Sequence, residues 1–328
     1  MTEVLQAYRH GIERAATLLR TGALVAFGTE TVYGLGADAT NDSAVAAVFV
    51  AKDRPRFNPL ICHYPDADAA LADVAASATA RHIATAFWPG PLTLVLPRND
   101  RCTVSLLASA GLDTLAVRVP AHNAARMLLR HVGRPVAAPS ANRSGRVSPT
   151  TALHVGAELG GRLAAILDCG CCEVGLESTV LDLCSERPRL LRAGGTTIEA
   201  IEALIGPVQQ PPGPSEAIRS PGMLASHYAP TLPLRMAATE LRAHEALLAF
   251  GPPLPGATLV FSLSDGADLT EAAARLFAGL RTLDDQAVAL GLTGIAAMPV
   301  PDCGIGRAIN DRLRRASAPR PLGPASTP

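Results

Sequence analysis

The chain has 328 residues, enough for two domains, and its 48% hydrophobic and 18% charged residues exclude a disordered chain. Basic and acidic residues balance at 29 each, so no net positive charge marks it for coating nucleic acid or an anionic membrane. No apolar run approaches the roughly 18 to 20 residues that span a bilayer. The opening MTEVLQAYRH also lacks the apolar core of a secretory signal, and a soluble intracellular protein is expected. The seven cysteines are an odd number, with Cys169, Cys171 and Cys172 crowded together. They suit neither a disulfide framework nor paired CxxC metal ligands, and reduced thiols are expected.

In chain order, the helical spacing of Ile12, Ala15, Leu18 and Leu19 predicts a helix over 8–21 that ends at Gly22. Residues 23–27 read as a buried strand, and a Thr- and Gly-rich loop follows over 29–36. Asn41 and Asp42 can cap a helix running to about Lys52. Further strands are predicted at 60–63, 92–96, 115–119, 135–138, 164–167, 178–183 and 189–191. Helical patterns lie between several of them, near 67–76, 78–87, 122–131, 150–159 and 197–205. This alternation implies an α/β domain with a mixed sheet. From Pro207 to Pro230 the chain holds six prolines in 24 residues, the texture of a semi-extended linker. That stretch nevertheless ends in Ser226-His227-Tyr228, groups a plain spacer does not need. A shorter α/β pattern follows, with strands near 246–250 and 258–262 and helices near 269–281 and 304–315. The expected organisation is a first domain over 1–206, a linker over 207–230, a second domain over 231–316 and a disordered tail over 317–328.

Of the 29 basic residues, 28 are arginine and one is lysine, Lys52. Where arginine has replaced lysine almost everywhere, the surviving lysine marks a place that needs a compact ammonium. It opens Lys52-Asp53-Arg54-Pro55-Arg56-Phe57-Asn58-Pro59, three cations within five residues pinned by two prolines. That makes an anion-binding patch, with a solvated charged turn as the bland alternative. The loop over 29–36 offers hydroxyls, a phenol and glycines for close backbone approach, but it is neither a P-loop nor a full GxGxxG. Arg118, inside an apolar strand, must find an ion-pair partner or point into a cleft. Residues 138–149 open a strand into a loop of hydroxyl, amide and cationic groups suited to phosphate and sugar. Glu177-Ser178-Thr179 and Leu191-Arg192-Ala193-Gly194 complete the set. His63, beside the basic patch, is the histidine candidate in the first domain. These pieces describe an arginine- and hydroxyl-rich cleft that positions an anionic nucleotide by orientation and charge.

The segments TETVYGLGA, AKDRPRFNPL, WPGPLTLVL, AVRVP, APSANRSGRVSPT, ESTVLD and LLRAGG occur in that order over roughly residues 10–206. They resemble the YrdC-like L-threonylcarbamoyladenylate synthases, and PGMLASHYAP with the second α/β segment resembles the long, two-domain form of that family. Gly28 stands where the family usually has proline, which alters a turn and removes no functional group. The resemblance implies a twisted mixed α/β sheet of YrdC-like type with a concave basic face, followed by a smaller Rossmann-like C-terminal domain. It implies a nucleotidyltransferase that joins L-threonine, bicarbonate (or CO2) and ATP into threonylcarbamoyl-AMP and pyrophosphate, in the cytoplasm. The product would feed threonylcarbamoyladenosine modification of tRNA through a tRNA threonylcarbamoyl transferase complex.

Residue by residue, the resemblance places Lys52 and Arg54 of the KxR pattern at the triphosphate as catalytic cations. Asn58, Thr114, Ser140, Asn142, Ser148, Arg192 and Tyr228 would join Arg54 at ATP, with Tyr228 in a flap over the site. Thr31, His63, Arg118, the Ala138 backbone and Ser178 would hold L-threonine, with Arg118 on its carboxylate. Mg²⁺ is expected with ATP, and no dedicated metal ligands stand out. Other classes carried beside this reading are a module binding double-stranded RNA or tRNA, and a regulatory paralogue without synthase activity. Neutral charge and 4% aromatic content count against RNA as the main ligand. The intact KxR and SxN patterns count against a silent paralogue.

Overall fold

The computed structural model describes residues 1–55, 57–210 and 227–318; Arg56, most of the expected linker and most of the expected tail lie outside the described residues. The first domain runs through β1 (Glu3–Gln6), α1 (Arg9–Arg20), β2 (Val25–Gly28), β3 (Tyr33–Asp38), α2 (Asp42–Lys52) and β4 (Ile61–His63). It continues through α3 (Ala67–Ala72), α4 (Ala78–Phe87), β5 (Leu92–Pro97), β6 (Thr114–Arg118), α5 (Asn123–Val132) and β7 (Val136–Ala137). It closes with α6 (Ala152–Leu159), β8 (Ala165–Asp168), β9 (Thr179–Asp182), β10 (Arg189–Arg192) and α7 (Ile198–Ile205). The second domain contains β11 (Leu234–Arg235), β12 (Glu245–Ala249), β13 (Val260–Ser262), α8 (Leu269–Ala289), β14 (Gly294–Ala297) and α9 (Gly306–Ser317).

Helix starts follow from their caps. The Asn41 side chain accepts hydrogen bonds from the Ser43 and Ala44 amides at α2, and Ser77, Thr151, Thr197 and Asp268 do the same work at α4, α6, α7 and α8. The strands of the first domain form one mixed sheet in the order β1-β8-β2-β3-β7-β4-β6-β5-β9-β10. Side chains alternate between its faces. One face sends Ala26, Leu35, Cys62, Leu94, Val117 and Leu181 into a core covered by α2, α3, α4, α6 and α7. On the other face α1 and α5 cover β2, β7 and β8 through Ile12, Leu19, Leu128 and Leu129. They leave β4, β6, β5, β9 and β10 to a small apolar patch of Ile61, Val95, Ala116, Val180 and Leu191. That half-covered face is where a ligand has room.

The loop expected over 29–36 is in fact a loop only to Val32; from Tyr33 the chain is strand β3. The glycines misled because their absent side chains serve sheet packing. A Cβ on Gly36 would lie 2.9 Å from the Phe27 ring, and one on Gly34 3.1 Å from the Ala138 Cβ. Strands β1, β11 and β14 carry no sequence signal of their own: β1 is a largely exposed edge, β11 has two residues, and β14 reads GIAA. Helix α8 continues to Ala289 rather than stopping near 281, because Leu283 and Ala287 keep its buried stripe going.

In the second domain the sheet order is β11-β14-β12-β13, all parallel. α8 and α9 pack on one face, and loop residues Leu241, Leu254 and Ala257 cover Leu247, Ala249 and Ala296 on the other. The core of α8 also takes in Val32, Val147 and Leu176 from the first domain, so the domains share an apolar seat. Gly175 sets how closely they approach. It has φ +68°, and a Cβ there would stand 2.5 Å from both the Cα and the carbonyl oxygen of Ala274 on α8. Gly175→Ala is therefore expected to cost about 1–3 kcal/mol of stability. Denaturant unfolding checks this, and an unchanged midpoint would show that the domains are not seated at this contact.

Candidate active site

The register of the sheet lines up polar groups on the half-covered face. His63 of β4 pairs with Arg118 of β6, and Arg118 pairs with Thr93 of β5. The Thr93 hydroxyl is 2.7 Å from that of Ser178, just before β9. A row of imidazole, guanidinium and two hydroxyls therefore crosses four neighbouring strands, all of it buried. The apolar alternation of each strand fixes this phase, since Ile61 and Ala116 point the same way as His63 and Arg118.

His63, Arg118 and Ser178 of this row line a cavity of about 50 Å³, space for a few waters. Its walls include Thr29, Thr31, Arg54, Ala138, Ser140, Glu177, Ser178, Arg192, His227 and Tyr228. Thr29 and Thr31 join hydroxyls at 2.8 Å, and the Thr29 hydroxyl donates to the Val32 carbonyl, which stiffens the rim. Three guanidinium groups enter, each anchored by backbone. Arg54 donates to the Pro59 carbonyl at 3.0 Å, Arg118 to that of Gly90 at 3.3 Å, and Arg192 to that of Ser178 at 2.9 Å. Burial, aided by the charge of Arg192, lowers the Arg54 pKa to about 10. Glu30 accepts from Arg118 at 2.5 Å, and its second oxygen is buried without a partner. Glu177 accepts from the Ser148 hydroxyl at 2.6 Å and from Arg312 of α9 at 3.0 Å. Burial alone would raise its carboxyl, but Arg312 and Arg192 outweigh it and hold Glu177 at about 2. Tyr228 closes the top at φ +61°, stacked on Phe277 of α8 with ring centres 5.3 Å apart. That backbone region costs an ordinary residue about 1–2 kcal/mol, sustained here by packing.

Of the residues singled out from the sequence, Thr31, Arg54, His63, Arg118, Ala138, Ser140, Ser178, Arg192 and Tyr228 meet in this cavity. Lys52 does not line it. Its ammonium is buried and donates to the Ser140 carbonyl at 2.5 Å and to the Asn142 carbonyl, behind the cavity wall. Burial pushes its pKa well down, and the Arg54 charge adds to this. Asn142 turns its amide NH2 onto the Arg143 and Arg146 carbonyls, so it shapes the same loop. Asn58 is buried beside Arg54, and Ser148 reaches the site through Glu177. Thr114 begins β6, at the end opposite Arg118, and is not among the lining residues. Sequence reasoning named Glu177 and His227 only in passing and gave Glu30 no role. Nothing local distinguishes a carboxylate that will pair across a hundred residues.

The two imidazoles set an acid limit. Burial, with the Arg118 charge, pushes His63 down to about 3, and burial does the same to His227. Both are neutral in the fold where an unfolded chain, at about 6.5, would protonate them. Unfolding then takes up protons, and stability falls as pH drops from about 6.5 toward 3. Denaturant unfolding at several pH values between about 7 and 5, above the carboxylate range, reads this slope. His63→Gln should make it shallower by the share of one proton, leaving that of His227, and an unchanged slope would remove His63 as a source.

Comparison with known proteins places the chain in a family. The family model described as "Telomere recombination" matches residues 17–194, and that described as "Threonylcarbamoyl-AMP synthase, C-terminal domain" matches residues 196–318. The threonylcarbamoyl-AMP synthase of Bacillus subtilis is 42% identical over 98% of this chain and 96% of its own length. That of Pyrococcus abyssi is also 42% identical, over 94% of each chain. The crystal structure of P. abyssi Sua5 complexed with L-threonine superposes with a TM-score of 0.87 at 38% identity, covering 97% of both chains. With both of its segments accounted for at this identity, the chain belongs to the threonylcarbamoyl-AMP synthase family, in the two-domain form.

Proposed function

We propose that this protein condenses L-threonine, bicarbonate or CO2, and ATP into threonylcarbamoyl-AMP with release of pyrophosphate. The observation that carries the reading is three buried guanidinium groups, each with a backbone carbonyl among its acceptors, converging on one cavity beside a row of hydroxyls and a neutral imidazole. Such a site binds anions and orients them, and it does little covalent chemistry itself. Arg118 is held at Nε by Gly90 and at Nη2 by Glu30, which leaves Nη1 for the carboxylate of L-threonine. Thr31, His63, the Ala138 backbone and Ser178 surround the rest of the amino acid. His63, being neutral, adds no charge and leaves the threonine amine free to shed its proton.

The amine captures CO2 as a carbamate and gives up a proton. A carbamate oxygen then attacks the α-phosphorus in line, and the α–β bridging oxygen leaves with pyrophosphate. Arg54 and Arg192 take the charge that moves onto the leaving group. Lys52 and Asn142 act through the loop whose carbonyls and side chains they fix, which presents Ser140. Mg²⁺ would come with the phosphates of ATP and help neutralise their charge. Tyr228 lines the cavity from above, where a flap over bound ATP would lie. The unstable mixed anhydride suits prompt transfer to a tRNA-modifying transferase.

Pyrophosphate release from ATP and bicarbonate tests the reading, with no amino acid, L-serine or L-threonine added. Dependence on L-threonine is expected. Release without amino acid would make the protein a plain nucleotide hydrolase, and no release from folded protein would leave it a binding module. Arg118→Gln should raise KM for L-threonine about 10- to 100-fold, the worth of one charged hydrogen-bonding group, with a smaller effect on KM for ATP. Equal effects on both would move Arg118 to the nucleotide.

A further inference from the structure

The second domain sends one side chain into the site of the first. Arg312, on α9, has no exposed surface, and the residues it meets lie far off in sequence. Its Nε donates to Glu177 Oε2 at 3.0 Å, and Nη1 donates to the Ala193 carbonyl at 2.6 Å and to Asp311 at 3.0 Å. Its guanidinium carbon lies 5.6 Å from the centre of the Tyr228 ring, and Nη2 has no acceptor. A buried arginine with an unspent donor is a poor choice for stability alone, since an apolar side chain would fill the space without desolvating a charge.

The chemistry of Glu177 supplies a reason. Its carboxylate lines the cavity that Arg54, Arg118 and Arg192 also line. Left to itself, it would turn toward the nearest guanidinium and occupy the position a phosphate should take. Two hydrogen bonds prevent this: Ser148 holds one oxygen and Arg312 holds the other. We propose that Arg312 is a positioning residue that holds the Glu177 carboxylate against the cavity wall, so that this carboxylate cannot quench the phosphate-binding arginines. The second domain thereby completes the ATP site of the first. This inference deepens the proposed function and rests on its reading of the cavity as an ATP site.

The test uses full-length protein and calorimetric titration with Mg²⁺ and a non-hydrolysable ATP analogue bridged by methylene between the α and β phosphorus. Arg312→Met should weaken binding about 10- to 100-fold, the effect of one misplaced charged group. Adding Glu177→Gln to that variant removes the quenching charge and should restore affinity to within a few-fold of wild type. A merely structural arginine predicts loss and rescue in the denaturant midpoint with the analogue affinity of the folded protein unchanged, so stability is measured beside binding. In turnover, Arg312→Met should raise KM for ATP more than it lowers kcat, again with recovery in the double variant. If Arg312→Met does not fold, Arg312→Lys, which keeps a charge but not the fork, decides by the same rescue. Wild-type affinity in a folded Arg312→Met, or absence of rescue by Glu177→Gln, overturns the proposal. A wild type that binds the analogue but shows no threonine-dependent pyrophosphate release overturns the proposed function and leaves the Arg312 comparison intact. A wild type that does not bind the analogue overturns both.

Discussion

A guanidinium taken out of water has to be answered by acceptors, and the choice of acceptor decides what it can still do. Carboxylate partners would cancel the charge. Around this cavity Arg54 and Arg192 are answered by the carbonyls of Pro59 and Ser178, and Arg118 divides its donors between Gly90 and Glu30. A carbonyl carries no net charge, so the Arg54 guanidinium is oriented by Pro59 without being cancelled, while Glu30 offsets Arg118. The carbonyls come from strand ends and the turns beside them, where the sheet has run out of partners. The site therefore stands at one rim of the sheet for a reason of hydrogen bonding as well as of space.

The same economy explains the spacing of Lys52 and Arg54. Helix α2 ends in a left-handed residue, Asp53 at φ +53°, which throws the chain sideways. The residue before that turn faces back toward the loop after β7, and the residue after it faces the cavity. Lys52 has to satisfy the carbonyls of Ser140 and Asn142 from a small enclosed space, and the loop returns the contact when the Ser144 amide donates to the Lys52 carbonyl. A compact ammonium bridges the two carbonyls from a fully buried position, where a guanidinium would bring more volume into the same space.

Strand phase was legible because apolar alternation is local: Ile61 with His63, and Ala116 with Arg118, announce one face. Which strands would be neighbours was not local, and the row from His63 to Ser178 depends on an order, β4-β6-β5-β9, that no short window contains. The glycines of β3 were misread for a related reason. Gly34 and Gly36 are small because Ala138 and Phe27 come close, and those neighbours are supplied by other strands. Arg312 shows the limit most plainly. In the run Asp311-Arg312-Leu313-Arg314-Arg315 it looks like one more solvated charge on an amphipathic helix, and only a partner 135 residues away, Glu177, makes it otherwise.

The first domain cannot close its own site. α1 and α5 cover only part of one sheet face, and Val32, Val147 and Leu176 near the open half are buried in one apolar cluster with residues of α8. The same helix supplies Phe277 beneath Tyr228, and α9 supplies the guanidinium beside it. The roof of the cavity and the seat of the second domain are thus built from shared contacts. Tyr228, whose backbone lies in a costly region, is held there by those contacts, so the seating of the second domain and the shape of the cavity depend on the same side chains.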